Sequence, residues 1–186
     1  MPESVDILLE RLSNLVRAEE RGLGQETGLQ PVQLHVLQYL ARANRYSDTP
    51  AAVAEYLGLT KGTVSQTLIT LEKRGLLERA GDKKDKRVVR LALTGEGRSL
   101  VRSCSPPPVL VKAARSMPKR DGEALRLLLT TLLQGVQKAA GVRGFGVCLH
   151  CRHFLTEDRG FRCGLTLEAL PTKQTEKICR EHEPQV

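Results

Sequence analysis

Four of the chain's five cysteines, Cys148, Cys151, Cys163 and Cys179, lie in its last quarter in the spacing Cys-x2-Cys-x11-Cys-x15-Cys, with His150, His153 and His182 among them. A Cys-x2-Cys turn lets two thiolates face one centre, and the two later cysteines complete a four-coordinate set. Three chemistries fit this pattern. An iron–sulphur cluster uses all four thiolates with none left over, because cluster ligands tolerate wide and uneven spacing; this is the first reading, and it predicts a redox or gas sensing site. The alternative is zinc, for which Cys179-x2-His182 offers a second close pair with His182 as alternative ligand, a choice that leaves Cys163 unused. The third is a metal-free thiol switch. Arg152, Arg159, Arg162 and Arg180 stand beside these cysteines and would offset a cluster's negative charge. Haem attachment is excluded, since it requires Cys-x-x-Cys-His and Cys151 is followed by Arg152. Cys104, just before three prolines, reads as a small buried hydrophobe.

Metal or redox chemistry, rather than disulfides, follows from the compartment the chain is expected to occupy. It opens Met1-Pro2-Glu3-Ser4-Val5-Asp6, which is acidic where a secretory signal would be basic and then apolar. No run of about 18 apolar residues offers a membrane span. The expectation is a cytoplasmic protein without membrane contact, where thiols stay reduced. At 186 residues with 40% hydrophobic content, the chain can build one ordinary domain and a small appendage. We divide it into residues 1–141 and a cysteine-rich tail at 142–186, after the glycines Gly141, Gly144 and Gly146. The tail has no apolar stripe long enough for a core of its own, and at that size a metal or a partner surface is needed for folding.

The net charge of +8 is unevenly spread: residues 1–60 carry 5 basic and 8 acidic side chains, whereas residues 61–102 carry 11 and 5. Positive charge begins at Lys61, where the local pattern also changes. Residues 51–57 read as a short helix stopped by Gly58, and Thr60 as the N-cap of a second helix from Lys61 to Arg74. In that helix Val64, Leu68 and Leu71 make a buried stripe, while Lys61, Thr63, Ser65, Gln66 and Thr70 lie off it. Small hydroxyl and amide side chains on such a helix suit base edges and phosphates in the major groove of duplex DNA. Next come a strand over 75–79, a polar turn over 81–86 and a return strand over 87–93. The turn carries Lys83, Lys84, Lys86 and Arg87, placed to follow the DNA backbone or enter the minor groove. Together these make a winged helix-turn-helix.

The stretch Leu68-Ile69-Thr70-Leu71-Glu72-Lys73-Arg74-Gly75-Leu76-Leu77-Glu78-Arg79, the wing Asp85-Lys86-Arg87-Val88-Val89 and the strand end Leu93-Thr94-Gly95-Glu96-Gly97 resemble the MarR family of winged-helix transcription regulators. The resemblance implies a homodimer, formed by helices from both termini, that reads a near-palindromic operator and acts as a repressor. It also implies that Arg87 is the wing-tip arginine and Asp85 the acid that orients the wing. It does not extend into the tail.

Elsewhere the pattern agrees with a mainly α fold and a small β-hairpin wing. Val5, Leu8, Leu9, Leu12, Leu15 and Val16 form a helical stripe across 4–21, and Val32 to Ala43 gives another helix after Pro31. Thr94 caps a helix to about Cys104, Pro106-Pro107-Pro108 interrupts the chain, and Asp121 to Ala140 is a last amphipathic helix. The tail continues from that helix, so the expected route from the thiols to DNA runs through dimerisation. A metal- or thiol-dependent enzyme is the contrasting class, but no Gly-rich phosphate loop or His-Glu-x-x-His occurs. With 3% aromatic residues and no Trp, single-strand binding lacks stacking platforms.

Overall fold

The computed structural model describes residues 3–83 and 85–185. Its helices are α1 (Val5–Thr27), α2 (Pro31–Arg42), α3 (Pro50–Leu57), α4 (Lys61–Lys73), α5 (Gly95–Cys104), α6 (Pro108–Ser116) and α7 (Lys119–Ala139), with the hairpin β1 (Leu77–Gly81) and β2 (Val89–Leu93) between α4 and α5. Each helix start has a local cause. Pro31 and Pro50 stand in the first turns of α2 and α3, where a missing N–H costs nothing. Thr49, Thr60 and Thr94 turn their hydroxyls onto the free N–H groups of Ala52, Thr63 and Gly97.

The core fills the centre of the winged helix. Leu37 and Tyr39 of α2, Val53 of α3, Val64, Leu68 and Leu71 of α4, Leu77 and Leu91 of the hairpin and Val101 of α5 are all buried in one cluster. β1 and β2 pair antiparallel from Leu77↔Leu93 to Gly81↔Val89. The first strand begins at Leu77 rather than at Gly75. Gly75 takes φ +68° and Leu76 donates back to the Leu71 carbonyl, so these two residues close α4 instead of opening a strand. α1 likewise runs six residues past the expected limit of 21: Glu20 is buried against His35 at 3.0 Å, and the left-handed Gly28 supplies the stop. α6 follows the proline break directly, with Pro108 in its first turn.

α1 and α7 are nearly bare of buried residues. Val5, Leu8, Leu12 and Leu15 on α1 and Leu125, Leu128, Leu132, Leu133 and Val136 on α7 are exposed. The amphipathic stripes read from the sequence therefore do not fill an intramolecular core. No helix among the described residues is long and apolar enough to cross a membrane.

After the left-handed Gly141 the tail folds as short pieces: β3 (Gly146–Val147), a 3-10 turn (Cys148–His150), β4 (Phe154–Glu157), β5 (Gly160–Cys163), β6 (Ala169–Leu170), α8 (Thr172–Thr175) and β7 (Ile178–Cys179). β4, β5 and β6 form one antiparallel sheet, and β3 pairs with β7. The tail rests on the first domain. Phe145 packs its ring edge-on to Tyr39 and Tyr56, and Ile178 joins the rim of the winged-helix core.

Candidate functional site

α4 presents the side chains expected of a recognition helix. Lys61, Thr63, Ser65, Gln66 and Thr70 are exposed, while Val64, Thr67, Leu68 and Leu71 face the core. The Thr60 and Thr63 hydroxyls are 2.9 Å apart, which fixes the first turn, and the Thr70 hydroxyl folds back on the Gln66 carbonyl. The far end of the helix is anchored by Arg74, which donates to the carbonyls of Thr27 and Gly28. Behind it Arg79 of β1 pairs with Glu72.

The wing carries Lys83, Lys86 and Arg87 on its surface; Lys84, also expected there, lies outside the described residues. Arg87 is 91% exposed and meets both Asp85 oxygens, at 3.0 and 2.9 Å, so Asp85 aims it. The pair holds the Asp85 carboxyl below its usual range. At the base of the wing Arg90 binds Asp82 at 2.7 Å and Asp48 at 2.9 Å. Sequence reasoning missed Arg90, because its partner Asp48 lies 42 positions away, on the α2–α3 turn.

In the tail, Cys148, Cys151, Cys163 and Cys179 line one small cavity of about 10 Å³, with Tyr46, His153, Leu165, Thr166 and Glu181. Cys151 N–H donates to the Cys148 carbonyl to close the Cys-x2-Cys turn, and Glu183 N–H points at the Cys151 sulfur at 3.5 Å. Cys163 sits at the end of β5, held by its N–H to the Glu168 carbonyl, and Cys179 ends β7. All five cysteines are free thiols. Burial, reinforced by the other three thiols, pushes Cys148 up to about 11, and burial raises Cys179 as well. Neutral thiols packed this way resist ionisation until a cation is supplied.

Among the described residues, no three His, Cys, Asp or Glu side chains are preset as a ligand group; the cysteines share a cavity without being drawn onto one point. His182 does not line that cavity; its ring lies over Gly146, where any Cβ would strike it. His153 does, and it also meets Glu183 at 3.2 Å. Three of the four expected arginines are directed elsewhere, Arg152 to Glu183, Arg162 to Glu157 and Arg180 to Glu55, and Arg159 is exposed. Cys104 is 1% exposed and remote from the others in sequence, its thiol set on the Leu100 carbonyl within α5.

Comparison with known proteins gives three results. The sequence model described as MarR family matches residues 27–88. An uncharacterized HTH-type transcriptional regulator, YhbI of Bacillus subtilis (strain 168), is 32% identical over 119 residues, 62% of this chain and 71% of that protein. Among solved structures, Streptococcus pneumoniae FabT in complex with DNA is similar at TM-score 0.58 and 26% identity, covering 72% of this chain and 95% of that one. A mutant MepR from a multidrug resistant S. aureus clinical isolate is similar at TM-score 0.64 and 24% identity, over 74% of this chain and 100% of that one.

Proposed function

The chain belongs to the MarR family of winged-helix transcription regulators, and from that premise we propose a homodimeric repressor whose DNA affinity is set by a metal centre in its tail. Membership places it among regulators of transcription rather than enzymes. The observation that carries the DNA reading is the exposed row Lys61, Thr63, Ser65, Gln66 and Thr70 beside a wing tipped by Arg87. A helix of this kind reads the major groove while a wing arginine enters the minor groove. FabT, its structural relative, is solved in complex with DNA. Two such units on a near-palindromic operator require a dimer, and the bare apolar faces of α1 and α7 supply the surface for one.

The centre is proposed to be an iron–sulphur cluster on Cys148, Cys151, Cys163 and Cys179, acting as a redox or gas sensor. Its support is that all four thiols, Cys163 included, line one cavity that His182 does not. A second reading, a single zinc ion on the same four thiolates, is favoured by the size of that cavity: about 10 Å³ is room for roughly one water-sized sphere. Anaerobic purification separates them. Brown protein containing iron and sulfide supports the cluster; colourless protein with one zinc per chain supports the ion; protein that takes up neither metal contradicts both. For the DNA reading, the protein is expected to enrich one duplex from a random-sequence library, and failure to enrich any would contradict it.

A further inference from the structure

We propose that the α2–α3 turn, residues 43–49, transmits occupancy of the thiol centre to the wing of the same subunit, with Asn44 touching the ligand shell and Arg90 touching the wing. This rests on the reading that the four thiols hold a metal. The turn is gripped from the tail on both sides of Cys179. Asn44 N–H donates to the Ile178 carbonyl at 2.9 Å, and Arg180 N–H donates to the Ser47 hydroxyl at 2.8 Å. Arg45 N–H donates to the Gln174 side chain at 3.0 Å, and the Tyr46 hydroxyl meets Thr166 and Glu168 on the loop that follows Cys163.

Asn44 is 1% exposed, and its side-chain oxygen accepts from Tyr46 N–H and the Ser47 hydroxyl, at 3.0 and 2.8 Å. Its amide nitrogen is buried and has no hydrogen-bond partner other than the neighbouring Cys179 sulfur. A buried donor of this kind is costly unless an acceptor arrives. A metal-held thiolate is such an acceptor, and N–H groups around ligands are the usual means by which a protein orients a metal site.

The same turn holds the wing on its other side. Arg90 of β2 donates to the Arg45 carbonyl at 2.5 Å and to Asp48 at 2.9 Å while reaching Asp82 of the wing at 2.7 Å, and Leu91 N–H donates to the Asp48 carbonyl at 2.8 Å. Arg45 is thus bound by its N–H to the tail and by its C=O to the wing. Loss of the metal loosens a tail too small to stay folded alone, releases the turn from Ile178, Gln174 and Arg180, and frees the wing to shift. This path stays within one subunit and does not pass through α7.

The test compares DNA affinity of metal-loaded and metal-stripped full-length protein at one salt concentration, using a duplex selected from a random library by the loaded form. Loading is done with iron and sulfide or with zinc, whichever the purified protein retains. Wild type is expected to show a ratio of about 5- to 150-fold between the two states. Asn44→Ala and Gln174→Ala, which remove side-chain holds of the tail on the turn, and Arg90→Lys, which removes the guanidinium that ties Arg45 and Asp48 to Asp82 and leaves the Leu91–Asp48 backbone bond, are expected to bring the ratio toward one. Arg90 lies outside the centre, so Arg90→Lys should retain wild-type metal content, and it decides the matter whatever the other two do to metal uptake. A wild-type ratio preserved in Arg90→Lys overturns this path while leaving the metal sensor standing. Metal uptake with equal affinities in wild type overturns any such coupling. Absence of metal uptake is the distinct failure of the sensor reading beneath it.

Discussion

Arg87 stands out from the wing with its guanidinium fixed by Asp85 two residues earlier, so the entropy of orienting a long side chain is partly met before DNA arrives. Arg87→Ala is expected to weaken operator binding by roughly 5- to 150-fold without changing the melting temperature, read from a binding titration and a thermal melt. Lys83 and Lys86, exposed beside it, should act through phosphates, and their removal should flatten the salt dependence. Among the thiols, Ser at Cys148, Cys151, Cys163 or Cys179 is each expected to lower metal content, whereas Ser at Cys104 and Ala at His182 should not; full metal in Cys163→Ser would remove the four-thiolate set. The sign of the pH effect follows from the raised thiols. Cys148, pushed up to about 11 by burial and its neighbours, is protonated at neutral pH, so metal uptake must release its proton. Apparent metal affinity should therefore tighten as pH rises from about 6 toward about 8, as competition with a chelator of known pH dependence will show.

At the scale of elements, the close joint is between α5 and the start of the hairpin. A Cβ at Gly97 would run into the Leu76 carbonyl oxygen, and backbone there cannot yield cheaply. Gly97→Ala is expected to cost about 1–3 kcal/mol of stability, measured by denaturant unfolding, in the range typical of overpacked sites. The tail's grip on α3 depends on Glu55, which Arg180 binds at 2.6 and 2.5 Å with Arg143 also near. Arg180 holds the Glu55 carboxyl below its ordinary value of 4.5. Its contribution is therefore complete above that value and fades as pH falls through the lowered one. Much of this scale was legible beforehand. The Val64, Leu68, Leu71 stripe and the Thr60 cap placed α4 correctly to within a residue, because periodicity and capping are local signals. Gly75 has the local pattern of a strand opening, yet its left-handed backbone ends α4, and α6 leaves no distinct signal because prolines that stop one helix can also begin the next. The docking of the tail was not legible at all: Arg45 with Gln174, or Asn44 with Ile178, are single bonds between residues more than a hundred positions apart and leave no periodic trace.

In the whole molecule, a dimer on DNA needs α1 and α7 to be covered by a second copy. Leu128 is 69% exposed and Leu15 66%, on long helices whose apolar stripes face outward. Leu128→Glu combined with Leu15→Glu should yield monomers in sedimentation and lose operator affinity, since a single winged helix meets only one half-site. Control of DNA binding by the tail's centre can be read from a single titration. Metal-loaded and metal-stripped wild type, both verified as dimers, are bound anaerobically to the same selected duplex at the same salt concentration. Dissociation constants separated by about 5- to 150-fold are the predicted result; equal constants would contradict such control and reduce the tail to a structural appendage.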